Sequence, residues 1–129
     1  MHDQLVTALD HIVLTVADVD AAAGWYARVL GLTAERFDGD RVALHFGTQK
    51  INLHPAHAPY APHASLAKPG TADLCFVTTR ELDEIVAKLE REHVEIELGP
   101  VERSGARGAM DSVYVRDLDG NLIEIARYR

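Results

Sequence analysis

One succession of strand and helix signals runs through this chain twice, and it constrains the fold more than any single motif does. Residues 9–16, LDHIVLTV, alternate with a period of two: Ile12, Leu14 and Val16 point one way, His11, Val13 and Thr15 the other. Such alternation reads as a strand with one buried face. Asp18 or Asp20 can cap a helix running to about Leu30. Its apolar stripe is Ala22, Trp25, Tyr26 and Val29, and Gly31 suits its C-terminal stop. Strands are expected next at 32–37, 41–46 and 51–54, joined by turns at 37–40 and 47–50. Residues 55–71 hold four of the five prolines and read as a linker of restricted flexibility. The pattern then restarts. A strand is expected at 72–78, and a helix capped by Thr79 runs to about His93 with the stripe Leu82, Ile85, Val86 and Leu89. A short edge strand at 94–98, a Gly-rich basic loop at 99–109 and a hairpin at 112–127 complete it.

A repeat of about sixty residues of this kind settles the architecture. The fold class is α+β: two βαβββ modules, about 8–54 and about 72–128, within one domain spanning 1–129. Each module buries one sheet face on its own helix. The opposite faces carry His11, Asn52, His54, Asp73, Tyr114 and Glu124. Brought together they make an open, incomplete barrel with the helices outside, and its concave interior is the expected pocket. The proline linker permits the two modules of one chain to share a barrel or to swap between partners.

Composition narrows the function. A formal net charge of −7, with a sequence pI near 5.4, argues against nucleic acid and anionic membrane as partners, because both need a basic patch. Cys75 is the single cysteine, so neither an intrachain disulfide nor a cysteine-rich zinc site can form. No apolar run approaches a membrane span and the N-terminus carries no signal-like segment, so the expected setting is the cytosol. Seven histidines in an acidic chain modestly favour metal binding.

Glu124 is the oddest residue. It sits mid-strand between Ile123 and Ile125, where a carboxylate needs a cation, a metal or hydrogen-bond donors. An ion pair with Arg116 or Arg41 is one solution. The other is a metal held by His11, Asp73 and Glu124, all on strands and all on the face away from the helix. Imidazole plus two carboxylates suits Zn²⁺, Ni²⁺, Mn²⁺, Fe²⁺ or Mg²⁺ and leaves positions open for water and substrate. His11 can equally be a core histidine, and Asp73 a partly solvated charge at its strand's start. Asn52 or His54 can add a fourth ligand or an outer hydrogen bond. Tyr114 can donate to an oxyanion, Arg107 can hold an anionic substrate on its Gly-flanked loop, and His54 is the candidate base. Arg103 reads as an exposed loop charge, and Cys75 as a small thiol rather than a nucleophile.

These segments have a family likeness. LDHIVLTVADVDAAAGWYARVLGL resembles the first strand and helix of the glyoxalase/bleomycin-resistance/dioxygenase superfamily, the vicinal oxygen chelate fold. RDLDGNLIEI resembles that superfamily's closing strand with its metal-binding glutamate. Together with QKINLH, PGTADLCFVT and GPVERSGARGAMDSVYV, they resemble the glyoxalase domain-containing protein 5 group and bacterial lactoylglutathione-lyase-like proteins. The resemblance implies paired βαβββ modules, often a homodimer, and a divalent metal chelating vicinal oxygens of a small-molecule substrate. His11 and Glu124 match the first-strand and last-strand ligands. Asp73 stands where the second module usually has histidine, and Asn52 where glyoxalase I has a glutamate. The pattern therefore fits a three-ligand member better than a glyoxalase I. Tyr114 falls where fosfomycin-modifying members place a substrate-facing tyrosine. Two functions are expected to compete. One is a metal-dependent lyase, isomerase or small-molecule transferase using the metal as Lewis acid. The other is a metal-free protein that sequesters a ligand, as bleomycin-resistance members do.

Overall fold

The computed structural model describes residues 3–129. Each module is a four-stranded mixed sheet with one helix. The first comprises β1 (His11–Val16), α1 (Val19–Leu30), β2 (Thr33–Phe37), β3 (Arg41–Phe46) and β4 (Gln49–Pro55). The second comprises β5 (Asp73–Val77), α2 (Leu82–Arg91), β6 (Leu98–Gly105), β7 (Gly108–Arg116) and β8 (Leu122–Tyr128). Strand order is β1-β4-β3-β2 in one sheet and β5-β8-β7-β6 in the other, so the repeat extends to topology. In each, the first strand pairs in parallel with the last, β1 with β4 and β5 with β8, and the other pairs are antiparallel. The two sheets do not close into a barrel.

The first helix forms as its sequence dictates. The Asp18 side chain accepts from the Ala21 amide at 3.0 Å, and Gly31 ends the helix at φ 75°. Trp25, Tyr26 and Val29 are buried against the sheet. The second helix starts later than expected. Thr78, not Thr79, offers a hydroxyl oxygen, and it accepts from the Arg80 amide. Glu81 precedes the first turn without a capping bond. That helix is also more exposed, with Leu89 its one buried residue.

The stretch 94–109 differs from expectation. Residues 94–97 are not strand, and the supposed Gly-rich basic loop is mostly β6, an edge strand that ends at Gly105. Pro100 reads as a strand breaker, but an edge strand tolerates proline because one side of its backbone is unpaired. The irregularity is absorbed as a register shift between Leu98 and Val101. Gly99 makes that shift feasible: at φ 117° an added Cβ would lie 2.5 Å from the Ser112 carbonyl oxygen.

Both modules contribute to one core. The helix-facing residues Leu14, Val16, Leu44, Ile51 and Leu53 of the first join Val113, Val115, Ile123 and Ile125 of the second in a single cluster. The turn 117–121 fastens the halves together. Buried Asp117 accepts from the Tyr26 hydroxyl on α1, from the Asn121 side chain at 2.8 Å, and from the amides of Asp119 and Asn121 at 2.9 Å. Asp119 accepts from the Ala17 amide at 2.9 Å, and Asn121 from the Ala72 amide at 3.0 Å. Burial, with Asp117 as hydrogen-bond acceptor and negative neighbour, drives the Tyr26 phenol far above its ordinary range, so it stays a donor. No helix among the described residues is long and apolar enough to cross a membrane.

Candidate functional site

Strand alternation puts the candidate residues on the sheet faces turned away from the core. Register then decides which of them are neighbours. On the first sheet His11 lies opposite Lys50, Val13 opposite Asn52, and Thr15 opposite His54. On the second, Glu124 lies between Cys75 on one side and Tyr114 on the other, with Asp73 opposite Leu122 one step along. Asp73, Cys75, Glu124 and Tyr114 therefore share one face, while His11, Asn52 and His54 share the other. The Glu124 carboxylate has no ion pair among the described residues. Arg116 pairs instead with Glu97 at 3.0 Å, pulling that exposed carboxyl below its usual range, and Arg41 stacks on Tyr60.

Within one chain these faces are open along their β1 and β5 edges. His11 and Cys75 are exposed, as are the apolar neighbours Val13 at 45 % and Val77 at 54 %. β1 and β5 are both free sheet edges. The His11 ring is held by Asp10 at 2.9 Å. Among the described residues, no three His, Cys, Asp or Glu side chains lie close enough together to hold a metal ion. A divalent ion fits the chemistry of His11, Asp73 and Glu124, but one chain does not assemble them. Their donor set is divided between two surfaces.

Three buried polar atoms have no partner among the described residues: Asn52 Oδ1, His54 Nδ1 and Ser112 Oγ. All three side chains belong to the same two faces, since Ser112 lies two residues from Tyr114 and opposite Ala126. An unpaired buried polar atom costs about 1–3 kcal/mol, so three of them on the expected site faces are open to a further hydrogen-bond partner. His54 is covered by the proline-rich segment. Its ring meets Tyr60 edge-to-face at 5.1 Å, and the Arg41 guanidinium lies 4.4 Å over the same tyrosine. Burial, then the charges of Arg41 and His63, hold the His54 imidazole below its ordinary pKa, so it is neutral near pH 7.

The arginines exchange roles. Arg103, expected to be an idle loop charge, donates from Nε to the Tyr114 hydroxyl at 2.9 Å, with its guanidinium 5.4 Å from the ring centre. Arg107 sits instead at the β6–β7 turn. Its backbone amide donates to the Tyr128 hydroxyl at 3.1 Å, and its guanidinium lies 4.4 Å over that ring. Once β6 runs through Pro100, alternation from Val101 puts Arg103 on the Tyr114 face. That was the signal available in the sequence. The Cys75 thiol is pushed up to about 11 by desolvation of its sulfur, although the residue is exposed, and then by the Glu124 and Asp73 carboxylates. It is not an activated nucleophile.

The chain's relatives agree with this fold. Residues 8–125 match the model of the Glyoxalase/Bleomycin resistance protein/Dioxygenase superfamily. The chain is 46 % identical to the virulence protein STM3117 of Salmonella typhimurium over 124 residues, covering 96 % of this chain and 86 % of that protein. A crystal structure of that protein superposes with a TM-score of 0.96 at 45 % identity, covering 98 % of this chain and all of the other. The glyoxalase domain-containing protein RDO1 of Mycosarcoma maydis is 42 % identical over 124 residues, 96 % of this chain and 70 % of that one. A lactoylglutathione lyase structure from Agrobacterium tumefaciens gives a TM-score of 0.73 at 25 % identity, covering 96 % of each chain. Two βαβββ modules, the match of residues 8–125 and these relatives place this chain in the glyoxalase/bleomycin resistance protein/dioxygenase superfamily.

Proposed function

We propose that this protein is a divalent-metal-dependent enzyme acting on a small polar molecule, of lyase, isomerase or transferase type, and that its site lies between two copies of the chain. The first-module face of one copy, with His11, Asn52 and His54, would meet the second-module face of the other, with Asp73, Tyr114 and Glu124. The observation that carries this reading is the division of the donor set between two faces with exposed edges, each holding a buried polar atom without a partner among the described residues. The faces also complement each other in charge. Lys50 lies on the first, while Asp73 on the edge strand β5 and Glu124 on the inner strand β8 lie on the second. The free edges of β1 and β5 and the exposed Val13 and Val77 favour the same pairing.

His11, Asp73 and Glu124 would hold the metal, which supplies a Lewis acid for an oxygen of the substrate. The chain's own groups do the rest. Arg103 occupies a lone pair of the Tyr114 oxygen, leaving the phenolic proton free to be donated to a substrate oxygen that gains negative charge. His54, neutral and with Nδ1 unpartnered, can accept a proton from the substrate. Ser112 and Asn52 give further polar contacts. Asn52 is no carboxylate base, so turnover of methylglyoxal with glutathione is expected to be absent.

Elemental analysis of untagged protein tests the reading, beside a Glu124→Gln variant. Bound divalent metal that falls away in the variant is the expected result. A folded wild type that binds no added Zn²⁺ or Mn²⁺ would overturn it in favour of a metal-free ligand-sequestering protein of the bleomycin-resistance kind.

A further inference from the structure

The second-module sheet has a cavity on its other side. Between the C-terminal end of α1, α2 and the two sheets lies a space of about 640 Å³. Its floor is apolar: Phe46 of the first module meets Phe76 of the second edge-to-face at 5.3 Å, flanked by buried Leu89 and Ile125. Its rim is cationic. Arg80, Lys88 and Arg91 line it against a single carboxylate, Glu84, in a chain whose net charge is −7. Arg80 is loosely paired with Glu84 at 3.4 Å, and Lys88 with Glu92 at 3.3 Å. Arg91 makes no ion pair among the described residues.

A volume in the range of small-molecule sites, an aromatic floor and a concentrated positive rim together select one ligand class. We infer that this cavity between the modules binds an amphiphilic anion, an alkyl or aryl carboxylate, with its apolar body on Phe46 and Phe76 and its carboxylate at Arg91. The apolar floor takes the ligand's hydrocarbon out of water, and the rim supplies the preference for negative charge. The cavity lies across the second sheet from the site proposed above and shares Val77 with it at the β5 edge. β5 and β8 turn Cys75 and Glu124 to one side, and Phe76 and Ile125 to the other.

The test is a titration of the uniformly ¹⁵N-labelled full chain with sodium decanoate, and separately with decan-1-ol, followed by amide shifts. Saturable shifts are expected at Leu30, Gly31, Leu32, Thr78, Lys88 and Leu89, at decanoate concentrations below about 1 mM. Decan-1-ol should bind more weakly, and Arg91→Glu, on the exposed rim, should weaken decanoate about fivefold. Three results would overturn the inference: no shifts at these amides, equal affinity for the acid and the alcohol, or shifts confined to the face bearing Tyr114 and Glu124. Movement of the same amides on dilution without decanoate would also overturn it, since a second copy of the chain would then fill the cavity.

Discussion

Two parts of this molecule bury polar side chains, and they treat them in opposite ways. In the turn 117–121, Asp117 and Asn121 are nearly inaccessible; the Asp117 oxygens accept from the Tyr26 hydroxyl, backbone amides and the Asn121 side-chain nitrogen, and the Asn121 oxygen accepts from the Ala72 amide. On the outward sheet faces, Asn52, His54 and Ser112 each keep a buried polar atom with no partner among the described residues. The first arrangement converts polar chemistry into a fastener between modules. The second leaves donors and acceptors open to a ligand, an ordered water or a second protein surface. Burial of polar groups is common to both, and satisfaction is what separates a structural network from a candidate site.

That contrast can be broken at either end. The largest effect is expected for Asp117→Ala, which strips the acceptor from Tyr26, Asn121 and two amides at once. A loss on the order of 3 kcal/mol or more should appear in urea unfolding. A smaller loss would mean that water replaces the carboxylate, and the turn is then no fastener. His54→Gln sharpens the other end through pH. The native imidazole is held below its ordinary 6.5, so the unfolded state binds the proton more readily. The stability that His54 contributes is full above about pH 6.5 and is lost as pH falls toward the native value. The variant should show a shallower acid slope in unfolding midpoint, and an unchanged slope would remove His54 as its source. Ser112→Ala should do least to the fold. It deletes a hydroxyl that bonds to nothing, so stability should stay within about 1 kcal/mol of wild type or rise. A loss comparable to that of Asp117→Ala would show that the serine is structural.

Much of this was legible beforehand, because the repeat is written in local patterns. Period-two alternation in 11–16 and 112–127 set the faces, and Asp18 and Gly31 set the first helix. The same alternation put His11 and Glu124 on strands, and they lie on β1 and β8. What was not legible depended on non-local context. Pro100 hid an edge strand, and with the strand hidden Arg103 was lost as the partner of Tyr114. The turn 117–121 reads in sequence only as the turn of a hairpin, because nothing near it announces that Tyr26, distant along the chain, donates to Asp117. The division of the donor set is likewise a property of packing. Alternation says which side chains share a face, and only the shared core says that the two faces of one chain point apart.

The central claim is that each site takes its first-module face from one copy and its second-module face from another. Mixing two disabled variants tests it most directly. His11→Ala and Glu124→Gln chains are purified separately, co-refolded in equal amounts, and titrated with Mn²⁺ or Zn²⁺ by calorimetry. Each variant alone should bind weakly. The mixed dimer should regain one intact site, built from His11 of the Glu124→Gln chain with Asp73 and Glu124 of the His11→Ala chain. A mixture that binds no better than its components, while wild type binds fully, would contradict a site shared between copies.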